Sequence, residues 1–415
     1  MRKLEDVDIS DTLPLEVYSV MQLYAINKPL LPNLTTLRLW RIGKPLIQFI
    51  PLFLSPRITS ISFEFSSSSP PESMIASVIT ILPMSCPNLQ HIDLRSLPSD
   101  PMITAAVSRM PLDIDQNALL AFHVDIALTE EASEVVYKSQ NLRSLSVAVR
   151  KGTSIPSVSL PNLTHLKIRC ADGSNGLQLL RGATFGKLES VSFDIKSKPT
   201  GNFLEAFKDA ALSSSIQDTL SVFILTTRWS LYPNYSSLLP FTQLVHLTFS
   251  FPCDDSCSRV DDDTVIGLSR AMPRLECLCL GYGPCYRFTG GVTAKGLMAL
   301  AYNCPNIDSL CVHFQVASLG DPPTGGETIP KAGYSASWTG SALRVLEVGV
   351  MPVPEELVPM VALTLLRIFP RIEFIGQAED EWDEVNDLIR RSKQIVDRSS
   401  KYHLHTMDKF LAYPS

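Results

Sequence analysis

LPNLTTLRLW (31–40), CPNLQHIDLR (86–95), LPNLTHLKIR (160–169) and MPRLECLCLG (272–281) are one phrase written four times. If its seven core positions are labelled a to g, positions a, d and f are apolar and b, c, e and g vary. Leu34, Leu37 and Leu39 fill a, d and f in the first copy; Leu89, Ile92 and Leu94 fill them in the second. Leu163, Leu166 and Ile168, then Leu275, Leu278 and Leu280, fill them in the other two. Further copies start at Leu4, Ile58, Leu119, Leu142, Leu188, Leu220, Leu244, Ile307, Leu343 and Ile372, so successive anchors are 21 to 36 residues apart. A unit of this size cannot bury its apolar edge alone, so it must stack on its neighbours.

Alternation at d and f is a period-two signal that puts both side chains on one face of a short strand. The anchor at a turns inward just before that strand. Between strands, several return segments read as helices. TVIGLSRAM is opened by Asp263 and Thr264, carries Val265, Leu268 and Met272 on one face, and is closed by Pro273. AKGLMALAYNC is opened by Thr293 and ended by Pro305, with Leu297, Leu300 and Ala301 inward. Strand, helix and strand in the same sense give parallel strands joined by crossovers. The expected fold is therefore α/β: a leucine-rich-repeat solenoid, or horseshoe, with parallel strands on the concave face and helices and loops on the convex face.

The rhythm predicts an irregular solenoid of 13–14 repeats over residues 1–376, a C-terminal capping helix over 377–400, and a tail over 401–415. In the capping helix, Trp382, Val385, Ile389 and Val396 fall near helical spacing. No comparable cap precedes the first repeat, and an uncapped apolar edge predicts a tendency to aggregate. SSSSPP (66–71), PCDDSCSRVDDD (252–263) and the Gly- and Pro-rich stretch 320–340 read as loops.

Composition narrows the function classes. The chain has 415 residues, a formal charge of -6, 45% hydrophobic residues and only 19% charged ones. It has no basic cluster of the kind that binds a phosphate backbone, so no nucleic-acid partner is expected. The stretches PLIQFIPLFLSP and LVPMVALTLLRIF fall short of the roughly 20 apolar residues that a bilayer span needs, so no membrane partner is expected either. Nine cysteines without a framework spacing, and a charged N-terminus in place of a secretory signal, point to a reduced cytoplasmic or nuclear setting.

GATFGKL (182–188) has the look of a phosphate loop, but Leu188 stands where Ser or Thr must reach a metal. Cys253, Cys257, Cys277, Cys279 and Cys285 do not form the paired spacing of a structural zinc site. The aspartates at 254, 255 and 261–263 lack a calcium-loop spacing, and Asp262 or Asp263 reads as a helix cap. No nucleophile elbow or metalloprotease helix is present. Neither a catalytic centre nor a cofactor nor a metal is expected, and the chain reads as a non-enzymatic binder.

Positions c, e and g remain, as the polar wall of the predicted concave face. The residues placed there as partner contacts are Arg38 and Trp40, then His91, Asp93 and Arg95, then His123 and Asp125. They continue with His165, Lys167 and Arg169, then Asp194, then His246. Glu64, a run of serines and His313 complete the wall. Trp and Arg are the residue types that dominate binding energy at protein interfaces.

VDDDTVIGLSRAMPRLECLCLGYG followed by TAKGLMALAYNCPNIDSLCVHF resembles the late repeats of fungal F-box/leucine-rich-repeat-like proteins, and LLPNLTTLRLW and EWDEVNDLIRR are similar to the same group. The resemblance implies the substrate-recognition part of an SCF-type ubiquitin ligase receptor, with a protein substrate on the concave face. The F-box that would dock the ligase adaptor is missing; TLPLEV (12–17) only echoes its opening, so adaptor docking requires an F-box upstream. The rival readings are a repeat scaffold unrelated to ubiquitin, and a small-ligand sensor using the His and Arg residues of the repeats at Leu89 and Leu163.

Overall fold

A computed structural model describes residues 4–7, 16–17, 20, 29–66, 70–150, 152, 157–198, 202–229, 233–251, 260–280, 291–319, 341–348, 353–376 and 380–399. The chain divides into two compact units, Met1–Thr227 and Arg228–Ser415.

In the first unit each a–g phrase becomes a strand: β1 (Leu4–Val7), β2 (Thr36–Ile42), β3 (Ser60–Phe65), β4 (His91–Arg95), β5 (Ala121–Ala127) and β6 (Ser144–Val149). They are followed by β7 (Val158–Leu160), β8 (His165–Cys170), β9 (Ala183–Phe185), β10 (Ser190–Ile195) and β11 (Val222–Thr227). The order β1-β2-β3-β4-β5-β6-β8-β10-β11 is parallel throughout, while β7 and β9 form a separate parallel pair. The segment with the look of a phosphate loop is β9 and its flanks, a piece of this small sheet. There Gly186 lets the backbone pass Pro161: an added Cβ would lie 2.6 Å from the Pro161 carbonyl oxygen.

Helices α1 (Glu72–Ser85), α2 (Pro101–Asp113), α3 (Glu130–Tyr137), α4 (Ser174–Gly182) and α5 (Phe203–Ser213) return the chain in this unit. The packed face of the sheet holds the d and f residues. Every anchor from Leu34 to Leu220 is buried, and the phenylalanines at 63, 65, 122, 193 and 223 fill the space beside them. Fully burying one such side chain is worth roughly 1.5–3 kcal/mol, so a column of anchors in register outweighs any single polar contact. Phe193 sits edge-on to Phe203 at 5.1 Å, Phe207 at 6.1 Å and Phe223 at 6.5 Å between ring centroids.

Two hydrogen-bond devices hold the register, one of backbone alone and one of side chain to backbone. The carbonyl at position b of one repeat accepts from two successive N–H groups of the next: Gln90 from Leu120 and Ala121, Leu120 from Arg143 and Ser144, Arg143 from Thr164 and His165. The residue just before the anchor then reaches back one repeat. Asn88 Nδ2 donates to the Pro56 carbonyl at 2.9 Å, Asn141 to Asn117 at 2.8 Å and Asn162 to Gln140 at 3.0 Å. The recurring Asn-Leu corner is thus a hydrogen-bonded rung at Asn88, Asn141 and Asn162.

The second unit repeats the plan with β12 (His246–Ser250), β13 (Cys277–Leu280), β14 (Ser309–Cys311), β15 (Val345–Glu347) and β16 (Phe374–Gly376), parallel in that order. Its helices are α6 (Asp262–Ala271), α7 (Ala294–Asn303), α8 (Val358–Ile368) and α9 (Asp380–Ser399). The anchors Leu244, Leu275, Ile307, Leu343 and Ile372 are buried.

The expected start of α6 needs a correction. Asp261, not Asp262 or Asp263 as read from sequence, is the N-cap, accepting from Thr264 N at 2.9 Å and Thr264 Oγ1 at 2.7 Å. Asp262 does different work. Its carboxylate accepts from Thr293 N at 2.7 Å, Thr293 Oγ1 at 2.6 Å and Gly296 N at 3.1 Å, tying the start of α6 to the start of α7. Gly296 permits this approach, since a Cβ there would lie 2.5 Å from Asp262 Oδ1.

Helix α9 covers the last repeat. Trp382, Val385 and Ile389 are buried, with Trp382 edge-on to Phe314 at 6.1 Å. Asn386 pairs with β16 as a strand would, accepting from Ile375 N at 2.9 Å and donating to Ile375 O at 3.0 Å. The side chain of Val396, the tail with His403 and His405, Cys253, Cys257 and Cys285, Asp254 and Asp255, and the stretches 12–15 and 320–340 lie outside the described residues. Among the described residues, no helix is long and apolar enough to cross a membrane.

Candidate functional site

Strand alternation sends c, e and g to the open face, and the parallel register lines them up in rows. The c row of the first unit reads Ser60, His91, Ala121, Ser144, His165 and Ser190; the e row reads Ser62, Asp93, His123, Ser146, Lys167 and Ser192. Eleven of the twelve residues placed on the wall from sequence, Arg38 through Asp194, lie on β2, β4, β5, β8 and β10 of this unit. The twelfth, His246, belongs to the second unit on β12, half-buried. His91, His165 and Lys167 are exposed, while Arg38, Trp40, Asp93, His123, Asp125, Arg169 and Asp194 are half-buried.

Two irregularities re-aim side chains at the g end. The β2–β3 register slips between Leu39 and Ile42, where Arg41 takes a φ of 53°. The β5–β6 register slips between His123 and Ala127. Such bulges bend a strand and redirect the residues within them. The first carries Trp40, whose ring receives the Arg95 guanidinium at 5.9 Å. The second carries Asp125, which turns back to accept from Ser96 N at 2.5 Å and Leu97 N at 3.2 Å.

Asp93, Asp125 and Asp194 on this face are held by the protein's own donors. Asp93 receives Arg95 through two oxygens, at 2.9 and 2.7 Å, and Ser62 Oγ at 3.3 Å. Arg169 spans from Asp125 at 3.2 Å to Asp194 at 3.4 Å; the latter contact is an ion pair without hydrogen-bond alignment, because Arg169 Nε has no aligned acceptor. The hydrogen bond to Asp93 raises the Arg95 pKa above its usual value. Burial lowers the His91 pKa, with the Arg143 charge adding to it, and burial lowers that of His123 against the pull of Asp93. Burial and then the Arg169 charge lower that of Lys167. His123 Nε2 lies 2.7 Å from Ser144 Oγ, and Thr164 Oγ1 lies 2.7 Å from His165 Nδ1.

The open face of the second unit is different in kind. Its c row reads His246, Cys277, Ser309, Val345 and Phe374, and its e row Thr248, Cys279, Cys311, Glu347 and Gly376. Phe374 is 54% exposed, so this wall ends on an uncovered ring. Cys311 hydrogen-bonds Cys279, and that contact with burial pushes its thiol pKa up; Cys277, Cys279 and Cys311 are not in disulfides. His313, placed on the wall from sequence, is buried instead: β14 ends at Cys311, and the chain turns so that the His313 carbonyl accepts from Val292 N.

Among the described residues, no group of three or more His, Cys, Asp or Glu side chains is placed to hold a metal ion. The first unit therefore offers a wall of fixed charges and hydroxyls about 4.8 Å apart from strand to strand, suited to reading an extended surface. No family model matches the sequence, and none of the curated proteins matches it.

Proposed function

We propose that the protein is a leucine-rich-repeat solenoid that binds another protein, with the open face of the first unit as its contact surface. The reading rests on one observation above all: c and e side chains, polar in every case but Ala121, stand in register from β3 to β10, so neighbouring repeats contribute to one wall. Trp40 and Arg95 form a preorganised pair at one end of that wall, of the types that anchor interfaces. The motif resemblance of 260–314 supports a narrower version, in which the chain is the substrate-recognition part of a ubiquitin ligase receptor.

Affinity purification with mass spectrometry tests this, using the chain extended by any coding sequence upstream of Met1. The expected result is recovery of a ligase adaptor and cullin together with a target, and loss of the target alone in Trp40→Ala plus Arg95→Ala. Recovery of other partners without adaptor or cullin contradicts the ubiquitin part. Capture insensitive to the double variant contradicts the contact surface.

A further inference from the structure

The charges of the first unit's open face are segregated, and that segregation says what the wall selects. In the c and e rows from β4 to β8 the only carboxylate is Asp93, and Arg95 and Ser62 occupy it. Asp125 and Asp194 stand at the g end, held by Arg169 and, for Asp125, by two backbone amides. Lys167, Arg143 and His91 have no such neighbour: among the described residues, none of the three side chains makes an ion pair or hydrogen bond. All three are exposed.

Between Lys167 on β8 and His91 on β4 lie β6, which presents only Ser144, Ser146 and Ala148 on the open side, and β5, which presents Ala121 and His123. Lys167 stands between the hydroxyls of Ser146 and Ser192 in the same row. Arg143 precedes Ser144 at the edge of the strand, close enough to His91 for its charge to be felt there. The result is a trough floored by the short side chains of β6 and edged by Lys167 and Arg143, in which the one carboxylate of the c and e rows, Asp93, is already held by Arg95 and Ser62.

We propose that this trough receives an oxyanion, a carboxylate or phosphoryl group, carried on the bound polypeptide and gripped by Lys167 and Arg143 with His91 at its mouth. The inference rests on the protein-binding reading and adds the chemistry of the ligand. Charge-assisted hydrogen bonds to a desolvated anion are the stronger class of such contacts, and neither cation loses an internal partner when the anion arrives.

Fluorescence anisotropy with labelled peptides tests it: hexaglutamate, a phosphoserine-bearing Gly-Ser hexapeptide, and hexalysine as the opposite charge. One or both anionic peptides are expected to bind, hexalysine is not, and Lys167→Ala plus Arg143→Ala is expected to weaken binding about tenfold or more. Binding of hexaglutamate assigns carboxylates; binding of the phosphoserine peptide alone assigns a phosphoryl group. Both residues are exposed, so an unchanged melting curve by circular dichroism shows that the variant is folded. The inference is overturned if neither anionic peptide binds more tightly than hexalysine, or if the double variant binds as the parent does. Displacement by an equal concentration of sodium phosphate overturns the requirement for a peptide carrier. Target capture lost in Trp40→Ala plus Arg95→Ala but untouched in Lys167→Ala plus Arg143→Ala breaks this inference alone. Capture untouched in both breaks the reading beneath it.

Discussion

The first and second units spell the same a–g phrase and bury the same a, d and f side chains, yet their open faces differ. On β4, β5, β8 and β10 the c, e and g positions carry paired Asp and Arg with His and Lys between them. On β13 to β16 the c and e positions carry Cys277, Cys279, Cys311, Val345 and Phe374, with Ser309, Glu347 and Gly376 among them. Apolar periodicity decides the fold and is indifferent to the alternate positions, so one scaffold accepts two surface chemistries. Fold and interaction chemistry are thus written in separate residues of the same seven.

The largest effects should come from what the units share. Phe193→Ala empties a ring site lined by Phe203, Phe207 and Phe223 and is expected to cost about 3–5 kcal/mol. Leu278→Ala in the second unit is expected to cost about 2–5 kcal/mol, both measured by urea denaturation. A cost below about 1 kcal/mol at either site would break the claim that the packed faces are equivalent.

Next come the ties between repeats, which differ between the units. In the second unit, Asp262→Asn disturbs three bonds from Thr293 and Gly296 and is expected to cost about 2 kcal/mol. In the first, Asn162→Ala removes one rung to the Gln140 carbonyl and is expected to cost about 1 kcal/mol. The corresponding corner residue of the second unit, Arg274, makes an exposed contact to Gln243 at 2.7 Å, and Arg274→Ala should stay within about 0.5 kcal/mol. Equal costs at Asn162 and Arg274 would show that the corner rung stabilises neither unit specially.

The smallest effect is on pH dependence. His91 and His123 titrate lower in the folded chain than in the unfolded one, so the unfolded chain takes up protons first as the pH falls. Together with His313, whose pKa burial lowers likewise, they make a contribution to stability that is flat above about pH 6.5 and declines below it. His123→Asn should flatten that decline in melting temperatures recorded between pH 7 and pH 5; an unchanged slope would remove His123 from the account.

Sequence reading reached the strands because the aliphatic positions repeat in register, and it reached α7 because Thr293 is an unambiguous cap before an apolar run. It missed the cap of α6 because three consecutive aspartates offer the same capping chemistry, and only geometry separates Asp261 from Asp262. His313 eluded it because β14 is only three residues long, and the chain leaves the open face before position g. The bulges that aim Trp40 and Asp125 lie at the end of the phrase, where no apolar position marks the register. The bonds of Asn88, Asn141 and Asn162 join atoms more than twenty residues apart, so no local pattern reveals them.

The most direct test of the contact surface places a photo-crosslinking amino acid at Ser146, on the open face of the first unit, or at Ser309, on that of the second. Both sites are half-buried positions on a strand, so the two probes are matched. With a captured target protein, the account predicts an adduct from Ser146 and none from Ser309. An adduct from Ser309 without one from Ser146 would contradict it.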